Sequence, residues 1–262
     1  MIGEQISSEI KTRTLAKSSW RLPPADLKLE SSATDVWMAR LDTVNTAQSE
    51  QIISDDERAR AARFRFETDR KRFIAARAFL RIILGKYLQI NPRQICFQYN
   101  KYGKPSIGSE PRPAIKFNLS HSDDLALFAV NETKEIGVDI ERIKSSFVDE
   151  AMASQCLTGR EIEHFQTLSE TAREIYFFDC WTRKEAYLKA RGNGFSLPPN
   201  QIETSLLSEL STSYFENDTE SRQIFRSIEK LPPIPGYATA LAIEGDNPSV
   251  RFWRQFDAEL AC

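Results

Sequence analysis

Residues 115–140 read IKFNLSHSDDLALFAVNETKEIGVDI, a stretch that contains three short runs typical of β-strands. The runs extend from Ile115 to Leu119, from Leu125 to Val130 and from Ile136 to Ile140. A polar cluster at residues 122–124 joins the first two runs, and small polar residues of this kind favour a tight turn. The stretch therefore predicts an antiparallel hairpin followed by a third strand.

Two helical regions flank these strands. Residues 54–57 (SDDE) and 158–161 (TGRE) each place a hydroxyl three residues before a glutamate, which is the capping-box spacing at a helix start. Apolar residues at helical spacing follow the first box from Phe73 to Tyr87. After the second box we expect a long helix from about Thr171 to Arg191, ended by Gly192.

The order of elements is an α+β pattern that occurs loosely twice, with a seam near residues 132–135. Further strands are predicted at residues 36–41, 237–243 and 250–256. The sequence thus predicts a polar, loosely ordered lead-in (1–34), an N-terminal subdomain (35–134) and a C-terminal subdomain (135–262).

Composition and charge limit the classes of function. Lys plus Arg number 35 and Asp plus Glu 37, a net charge of -2, whereas proteins that grip duplex DNA or anionic membranes are normally far more basic. The four cysteines lack metal-ligand spacing, and Cys96 and Cys180 lie in apolar runs that favour burial. No apolar stretch approaches the roughly 18 residues of a membrane span, and no signal peptide is recognisable. We expect a cytoplasmic protein with neither nucleic acid nor membrane as a partner.

Asp139 and Glu141 form the first candidate site. On a strand their side chains project from the same face, where two carboxylates repel each other unless a cation lies between them. This arrangement suits a hard divalent cation such as Mg²⁺. The alternative is a solvated strand end at which Glu141 pairs with Arg142.

The helix around residues 181–189 carries the second candidate site. Glu185 and Lys189 are one turn apart and share a face, and Lys184 directly precedes Glu185. The alternative is an ordinary i,i+4 ion pair. Against that alternative, Trp181 lies one turn before Glu185, which indicates that this face meets the core or a cleft.

Ser120 and His121, at the end of a predicted strand, form the third candidate site. Neighbouring strand residues point to opposite faces, so the pair is poorly placed as a nucleophile and its base. Contact with phosphate is the functional interpretation that we favour, and a hydrogen-bonded structural histidine is the alternative.

A dense basic segment between Arg58 and Arg81 is the fourth candidate site. A solvated helix face is its default interpretation. The functional interpretations are capture of a small molecule with several phosphates, docking of an acidic protein and, disfavoured by the net charge, binding of nucleic acid.

The order and spacing of these motifs are more specific than any one of them. FNLSHS, GVDIE and WTRKEAYLK, with GKP upstream, resemble the signatures of the Sfp-type 4′-phosphopantetheinyl transferases over about residues 54–198. The resemblance implies an α+β pseudo-dimer of two similar subdomains, each a long helix packed on a small antiparallel sheet, with the active site between them. It also implies a reaction in which coenzyme A gives its phosphopantetheine arm to a serine of an apo acyl or peptidyl carrier protein, releasing adenosine 3′,5′-bisphosphate.

The resemblance further implies roles for individual residues. Asp139, Glu141 and Glu185 would hold Mg²⁺, with Mn²⁺ as an alternative, and Glu185 and Lys189 would be catalytic. Asn118 would support the adjacent turn. The residues implied in coenzyme A binding are Arg60, Arg72, Lys104, Ser120, His121, Lys184 and Lys189.

Two other functions stay open at this stage. One is a non-catalytic member of the same fold that binds coenzyme A or a carrier protein. The other is a nucleic-acid-binding protein that uses the basic helix. The resemblance favours the transferase and a monomer, but it does not identify the class of carrier protein.

Overall fold

The computed structural model of the protein describes residues 20–108, 115–145, 148–194, 197–203, 225–229, 231–245 and 249–255. The strands are β1 (Ala33–Arg40), β2 (Phe97–Tyr99), β3 (Pro105–Ile107), β4 (Lys116–Ser122), β5 (Leu125–Asn131), β6 (Ile136–Arg142), β7 (Phe225–Glu229), β8 (Tyr237–Glu244) and β9 (Ser249–Arg254). The helices are α1 (Thr46–Ile52), α2 (Asp55–Ala61), α3 (Glu67–Leu88), α4 (Glu150–Cys156), α5 (Gly159–Thr167) and α6 (Glu170–Arg191). No described helix has the length and apolar character needed to cross a membrane.

The first sheet has the strand order β4-β5-β1-β9. β4 and β5 form the predicted antiparallel hairpin, with Asp123 in the left-handed conformation (φ 48°) at its turn. β1 pairs antiparallel with β5, whereas β9 runs parallel to β1. This sheet is therefore mixed rather than purely antiparallel, because the C-terminal strand joins its edge.

Helix α3 covers one face of the first sheet. Its buried residues Phe79, Leu80 and Leu84 pack in one apolar cluster with Trp37 of β1 and Phe128 of β5. The apolar spacing of α3 supplies this stripe, and its burial is the main source of stability for a helix on a sheet. The sequence prediction of an apolar face from Phe73 to Tyr87 is confirmed.

The second sheet has the antiparallel order β6-β8-β7, and helix α6 packs on it. Gly137 of β6 lies directly under the helix: a Cβ atom there would be 2.0 Å from the carbonyl oxygen of Ala186 and 2.4 Å from the backbone nitrogen of Ala190. Only glycine allows so close an approach of two backbones. β6 and α6 are thus held in direct backbone contact.

Side chains of β4 connect the two sheets. Asn118, Ser120 and Ser122 alternate along β4 and so lie on one face, which is turned toward β6. The Oδ1 atom of Asn118 accepts a hydrogen bond from the buried backbone N–H of Val138 at 2.9 Å. The expectation that Asn118 supports the turn is wrong, because its side chain satisfies a backbone donor of the other sheet.

The described part of the predicted lead-in is packed rather than loose. Trp20 is buried with its ring edge-on to Phe252 of β9 at 5.5 Å, and Leu27 joins the core beneath α3. The backbone N–H of Arg21 donates to the carbonyl of Phe252 at 3.0 Å. Trp20 and Leu27 explain the difference, since each of these large apolar side chains packs in a hydrophobic cluster. Residues 1–19 lie outside the described residues.

The burial of the cysteines differs from the sequence prediction at one position. Cys180 is buried as expected, whereas Cys96 is exposed just before the short strand β2. Cys262 lies outside the described residues.

Candidate active site

A cavity of about 540 Å³ opens between the two halves of the fold. One wall is aromatic and basic and includes Arg60, Phe64, Phe73, Arg77, Tyr99 and Tyr102. The opposite wall is polar and includes Ser120, His121, Glu141, Glu185 and Lys189. The cavity thus brings together residues that are far apart in the sequence, including several of the predicted site.

Asp139 is hydrogen-bonded to two residues of the polar wall, and only 1% of its surface is exposed. Its Oδ1 atom accepts hydrogen bonds from the hydroxyl of Ser120 at 2.8 Å and from the ammonium group of Lys189 at 2.6 Å. Lys189 also donates to Ser120 Oγ at 2.9 Å. The other oxygen, Oδ2, is buried and has no hydrogen-bond partner among the described residues. One carboxylate oxygen of Asp139 therefore accepts two hydrogen bonds, and the other is open, accepting none from the described residues.

Two further carboxylates share this region. Burial raises the pKa of Glu185 to about 7, with Lys189 opposing the rise and Asp139 and Glu141 adding to it. Burial, followed by repulsion from Asp139, also raises the pKa of Glu141, whose Oε2 accepts a hydrogen bond from Ser122 at 2.9 Å. The three carboxylates therefore repel one another, because the single positive charge of Lys189 does not balance their combined negative charge.

The donor set fits a divalent cation in its chemistry. Glu185 Oε1, like Asp139 Oδ2, is buried without a partner among the described residues, and carboxylate oxygens are the ligands that Mg²⁺ prefers. In the part of the chain that the structure describes, no group of three or more His, Cys, Asp or Glu side chains is already arranged as a metal site. The open oxygens are therefore present, although the three acids are not already closed around a metal position.

His121 lies beside the acid cluster at the cavity. Ser120 is buried and His121 is exposed, as the alternation along a strand predicts. Desolvation, followed by the charges of Lys189 and Arg72, lowers the pKa of His121. Lys189 and Arg72 therefore bring positive charge close to the histidine, and this charge suits an anionic group of a ligand.

Lys104 lines the cavity, but its ammonium group binds the protein. Its Nζ donates to Glu135 Oε2 at 2.8 Å and to the carbonyl of Ala190 at 2.8 Å, and burial lowers the pKa of Lys104. Nearby, the Asn100 amide donates to the carbonyl of Gly192 at 2.7 Å. These bonds fasten the turn between β2 and β3 to Glu135, at the predicted seam, and to the end of α6.

Lys184 is not part of the cavity. Its ammonium group is completely buried, forms an ion pair with Glu161 and donates to the carbonyl of Cys156 at 2.6 Å. Neighbouring residues on a helix point in directions about 100° apart. Because Glu185 faces the cavity, Lys184 faces the neighbouring helix α5 instead. The expectation that Lys184 binds coenzyme A is corrected accordingly.

The basic segment has members with different roles. Arg60 lines the cavity, with its guanidinium 5.4 Å from the ring centre of Phe73, and has no carboxylate partner among the described residues. Arg72 does not line the cavity; its Nε donates to Asp124 at 2.9 Å in the β4–β5 turn. The structure therefore brings Arg60 to the cavity and leaves Arg72 at its margin.

Several residues at this site were given no individual role by the sequence, among them Arg77, which lies within the basic segment, and Ser122. Arg77 lines the cavity, and its signal was the i,i+4 series Phe73, Arg77 and Arg81 on one face of α3. Ser122, which donates to Glu141, could have been found because it follows Ser120 with the period of a strand.

Comparisons with known proteins identify the family of this chain. Residues 36–133 match the family model of the 4′-phosphopantetheinyl transferase N-terminal region, and residues 135–242 match that of the 4′-phosphopantetheinyl transferase superfamily. The 4′-phosphopantetheinyl transferase HetI of Nostoc sp. is 34% identical over 244 residues, covering 91% of this chain and 99% of HetI. The 4′-phosphopantetheinyl transferase Sfp of Bacillus subtilis is 27% identical over 72% of this chain and 81% of its own. On these matches the chain belongs to the 4′-phosphopantetheinyl transferase superfamily and is an enzyme of that class.

Proposed function

We propose that this enzyme transfers the phosphopantetheine arm of coenzyme A to a serine hydroxyl of an apo acyl or peptidyl carrier protein and releases adenosine 3′,5′-bisphosphate. The observation that carries the proposal is one cavity lined both by Glu185 and Lys189, the latter bonded to the buried Asp139, and by an aromatic and basic wall. Such a cavity offers oxygen ligands for a metal at one side and contacts for a nucleotide at the other.

Asp139, Glu141 and Glu185 would hold Mg²⁺, or Mn²⁺ as the alternative. The two buried carboxylate oxygens without partners among the described residues support this assignment. When bound, the ion supplies positive charge that offsets the negative charge developing on the pyrophosphate.

Glu185 and Lys189 would carry the proton and charge changes. The serine oxygen attacks the phosphorus next to the pantetheine arm, and the bond from that phosphorus to the departing phosphate oxygen breaks. Glu185 would take the hydroxyl proton, directly or through water. Lys189 would donate a proton or a hydrogen bond to the leaving phosphate. Its ammonium group already lies within hydrogen-bond distance of Asp139 and Ser120.

The remaining residues would hold and orient coenzyme A. Arg60 and His121 are placed to bind its phosphates, and Ser120 fixes Lys189 and Asp139. Lys104 would act at the cavity wall by fastening the β2–β3 turn, and Arg72 by fastening the β4–β5 turn.

The organisation of the chain also belongs to this proposal. The subdomains would be residues 35–134 and 135–262 after a lead-in of 1–34, although β9 crosses to pair with β1 of the first subdomain. Since both walls of the cavity come from one chain, the enzyme would act as a monomer, and its place would be the cytoplasm.

Intact-protein mass spectrometry tests the proposal. Apo carrier proteins of the fatty-acid, polyketide and peptide-synthetase classes are incubated with the enzyme, coenzyme A and Mg²⁺, with a parallel reaction containing EDTA. The expected result is a gain of one phosphopantetheine on at least one carrier that EDTA abolishes. Coenzyme A binding without any gain on these carriers would favour the non-catalytic alternative.

A further inference from the structure

A buried ion cluster lies behind the aromatic wall of the cavity. The Glu57 carboxylate, at the start of α2, forms ion pairs with Arg77 and with Arg81 of α3, the latter at 2.6 Å. Arg81 is 1% exposed, and its Nη1 also donates to the carbonyls of Pro92 at 3.1 Å and Ile95 at 2.9 Å. Arg81 is thus engaged entirely within the protein.

Arg77 differs from Arg81 because it reaches the cavity. Its Nε binds Glu57, its Nη2 donates to the hydroxyl of Tyr99 at 3.0 Å, and its guanidinium lies 4.6 Å from the ring centre of Phe97. A planar guanidinium is suited to bind two partners in fixed directions at once, which an ammonium group is not. Arg77 therefore connects a buried carboxylate to a residue of the cavity wall.

Tyr99 needs such a connection. It lies on β2, a three-residue strand whose one partner among the described strands is the three-residue β3, and it is 41% exposed. A two-stranded ladder of this length is marginal by itself. Asn100 fastens the backbone of the adjoining turn to the end of α6, and the Arg77 hydrogen bond holds the Tyr99 side chain itself at the wall.

We propose that Arg77 is a positioning residue that holds Tyr99 against the cavity and thereby sets the affinity for the nucleotide end of coenzyme A. The inference rests on the proposed function. Tyr99, Tyr102 and Phe73 present aromatic rings beside the guanidinium of Arg60, a combination that suits a flat base carrying phosphates.

The test compares Tyr99→Phe, Arg77→Lys and the double variant by calorimetric titration with coenzyme A. Tyr99→Phe keeps the ring and loses only the hydroxyl, and we expect coenzyme A to bind about five-fold more weakly, the effect of one ordinary hydrogen bond. Arg77→Lys should weaken binding at least as much, and the double variant should match Arg77→Lys within about two-fold because both changes break one connection. In transfer assays of Tyr99→Phe, the KM for coenzyme A should rise by a larger factor than kcat falls.

Tyr176→Phe is the matched control, because Tyr176 hydrogen-bonds Cys180 outside the cavity. It should leave coenzyme A affinity unchanged. Unchanged affinity in Tyr99→Phe, or additive effects in the double variant, would overturn the role of Arg77 while the wild type still binds and transfers. A wild type that neither binds coenzyme A nor modifies any carrier would instead refute the proposed function, and this inference with it.

Discussion

The two long helices of this enzyme, α3 and α6, are built and anchored alike but serve different purposes. Each has 22 residues and is followed by a left-handed residue, Gln89 (φ 53°) after α3 and Gly192 (φ 70°) after α6. Each is preceded by a short helix with a capping box. The buried glutamates of those boxes, Glu57 and Glu161, both form ion pairs with basic residues of the long helix that follows.

The difference lies in what each helix presents to the cavity. Next to α3 the ion cluster opens on the cavity through Arg77, whereas next to α6 the pair of Glu161 and Lys184 is sealed. α6 contributes Glu185 and Lys189 instead, on a helix that Gly137 allows to lie against the acidic strand β6. The same arrangement of capping box and ion pair therefore occurs twice, and we infer that the α3 side mainly binds coenzyme A while the α6 side carries the chemistry.

Gly137→Ala should have the largest effect on this comparison. The added methyl group would overlap the backbone of α6, so we expect a loss of more than about 3 kcal/mol in the free energy of unfolding and loss of transfer activity. Gly159→Ala is the matched control, because a Cβ there meets nothing within 4 Å. Urea unfolding measures both, and a Gly137→Ala protein as stable as the wild type would refute the close contact of β6 and α6.

Glu161→Gln and Glu57→Gln sharpen the contrast between the two ion clusters. Each leaves buried positive charge without its carboxylate, which should cost about 3 kcal/mol in the free energy of unfolding. Only Glu57→Gln should also weaken coenzyme A binding, because only Arg77 reaches the cavity. Urea unfolding measures the stability of both variants, and calorimetric titration measures their affinity for coenzyme A. Equal losses of affinity in both variants would contradict the division of roles.

Asn118→Ala tests how the two halves are joined. The change leaves the buried N–H of Val138 without its acceptor, so we expect a loss of about 2 kcal/mol in the free energy of unfolding. Thermal unfolding followed by circular dichroism provides the measurement. A melting temperature equal to that of the wild type would mean that this bond does not hold the sheets together.

The smallest predicted effect concerns pH. Burial alone would raise the pKa of Glu57, but Arg77, the Ser54 N–H and Arg81 outweigh it and hold the pKa below its ordinary value. A carboxylate with a lowered folded-state pKa stabilises the protein fully above its unfolded pKa and loses this contribution as the pH falls through the folded value. Stability of the wild type should therefore fall more steeply than that of Glu57→Gln below about pH 4.5, and parallel curves would count against the prediction.

The elements that the sequence predicted well are those set by local patterns. The β4–β5 hairpin, both capping boxes and the bounds of α6, expected from about residue 171 and found from Glu170, follow from neighbouring residues alone. Local signals of this kind do not depend on what the rest of the chain does.

Apart from the exposure of Cys96, the misses are contacts between distant segments. The parallel pairing of β9 with β1, the role of Asn118 across two sheets and the burial of Lys184 each depend on which surfaces meet. For Gly137, a glycine inside a strand was a usable signal of close backbone approach. The spacing of Asp139 and Glu141 suggested a cation site but left a structural alternative open, because a two-acid pattern on a strand is common by chance. The proposed roles of these residues and of Glu185 therefore rest on the family resemblance.

The most direct test of the division between binding and chemistry is the rate of phosphopantetheine transfer as a function of coenzyme A concentration for the wild type, Glu185→Gln and Arg60→Ala. Glu185→Gln should lower kcat about 100-fold with KM for coenzyme A within about three-fold, because it removes charge and a proton acceptor at the reacting phosphate. Arg60→Ala should raise that KM about ten-fold with kcat within about two-fold, the loss of one charge-assisted contact. A Glu185→Gln enzyme with normal kcat, or an Arg60→Ala enzyme changed in kcat alone, would contradict the account.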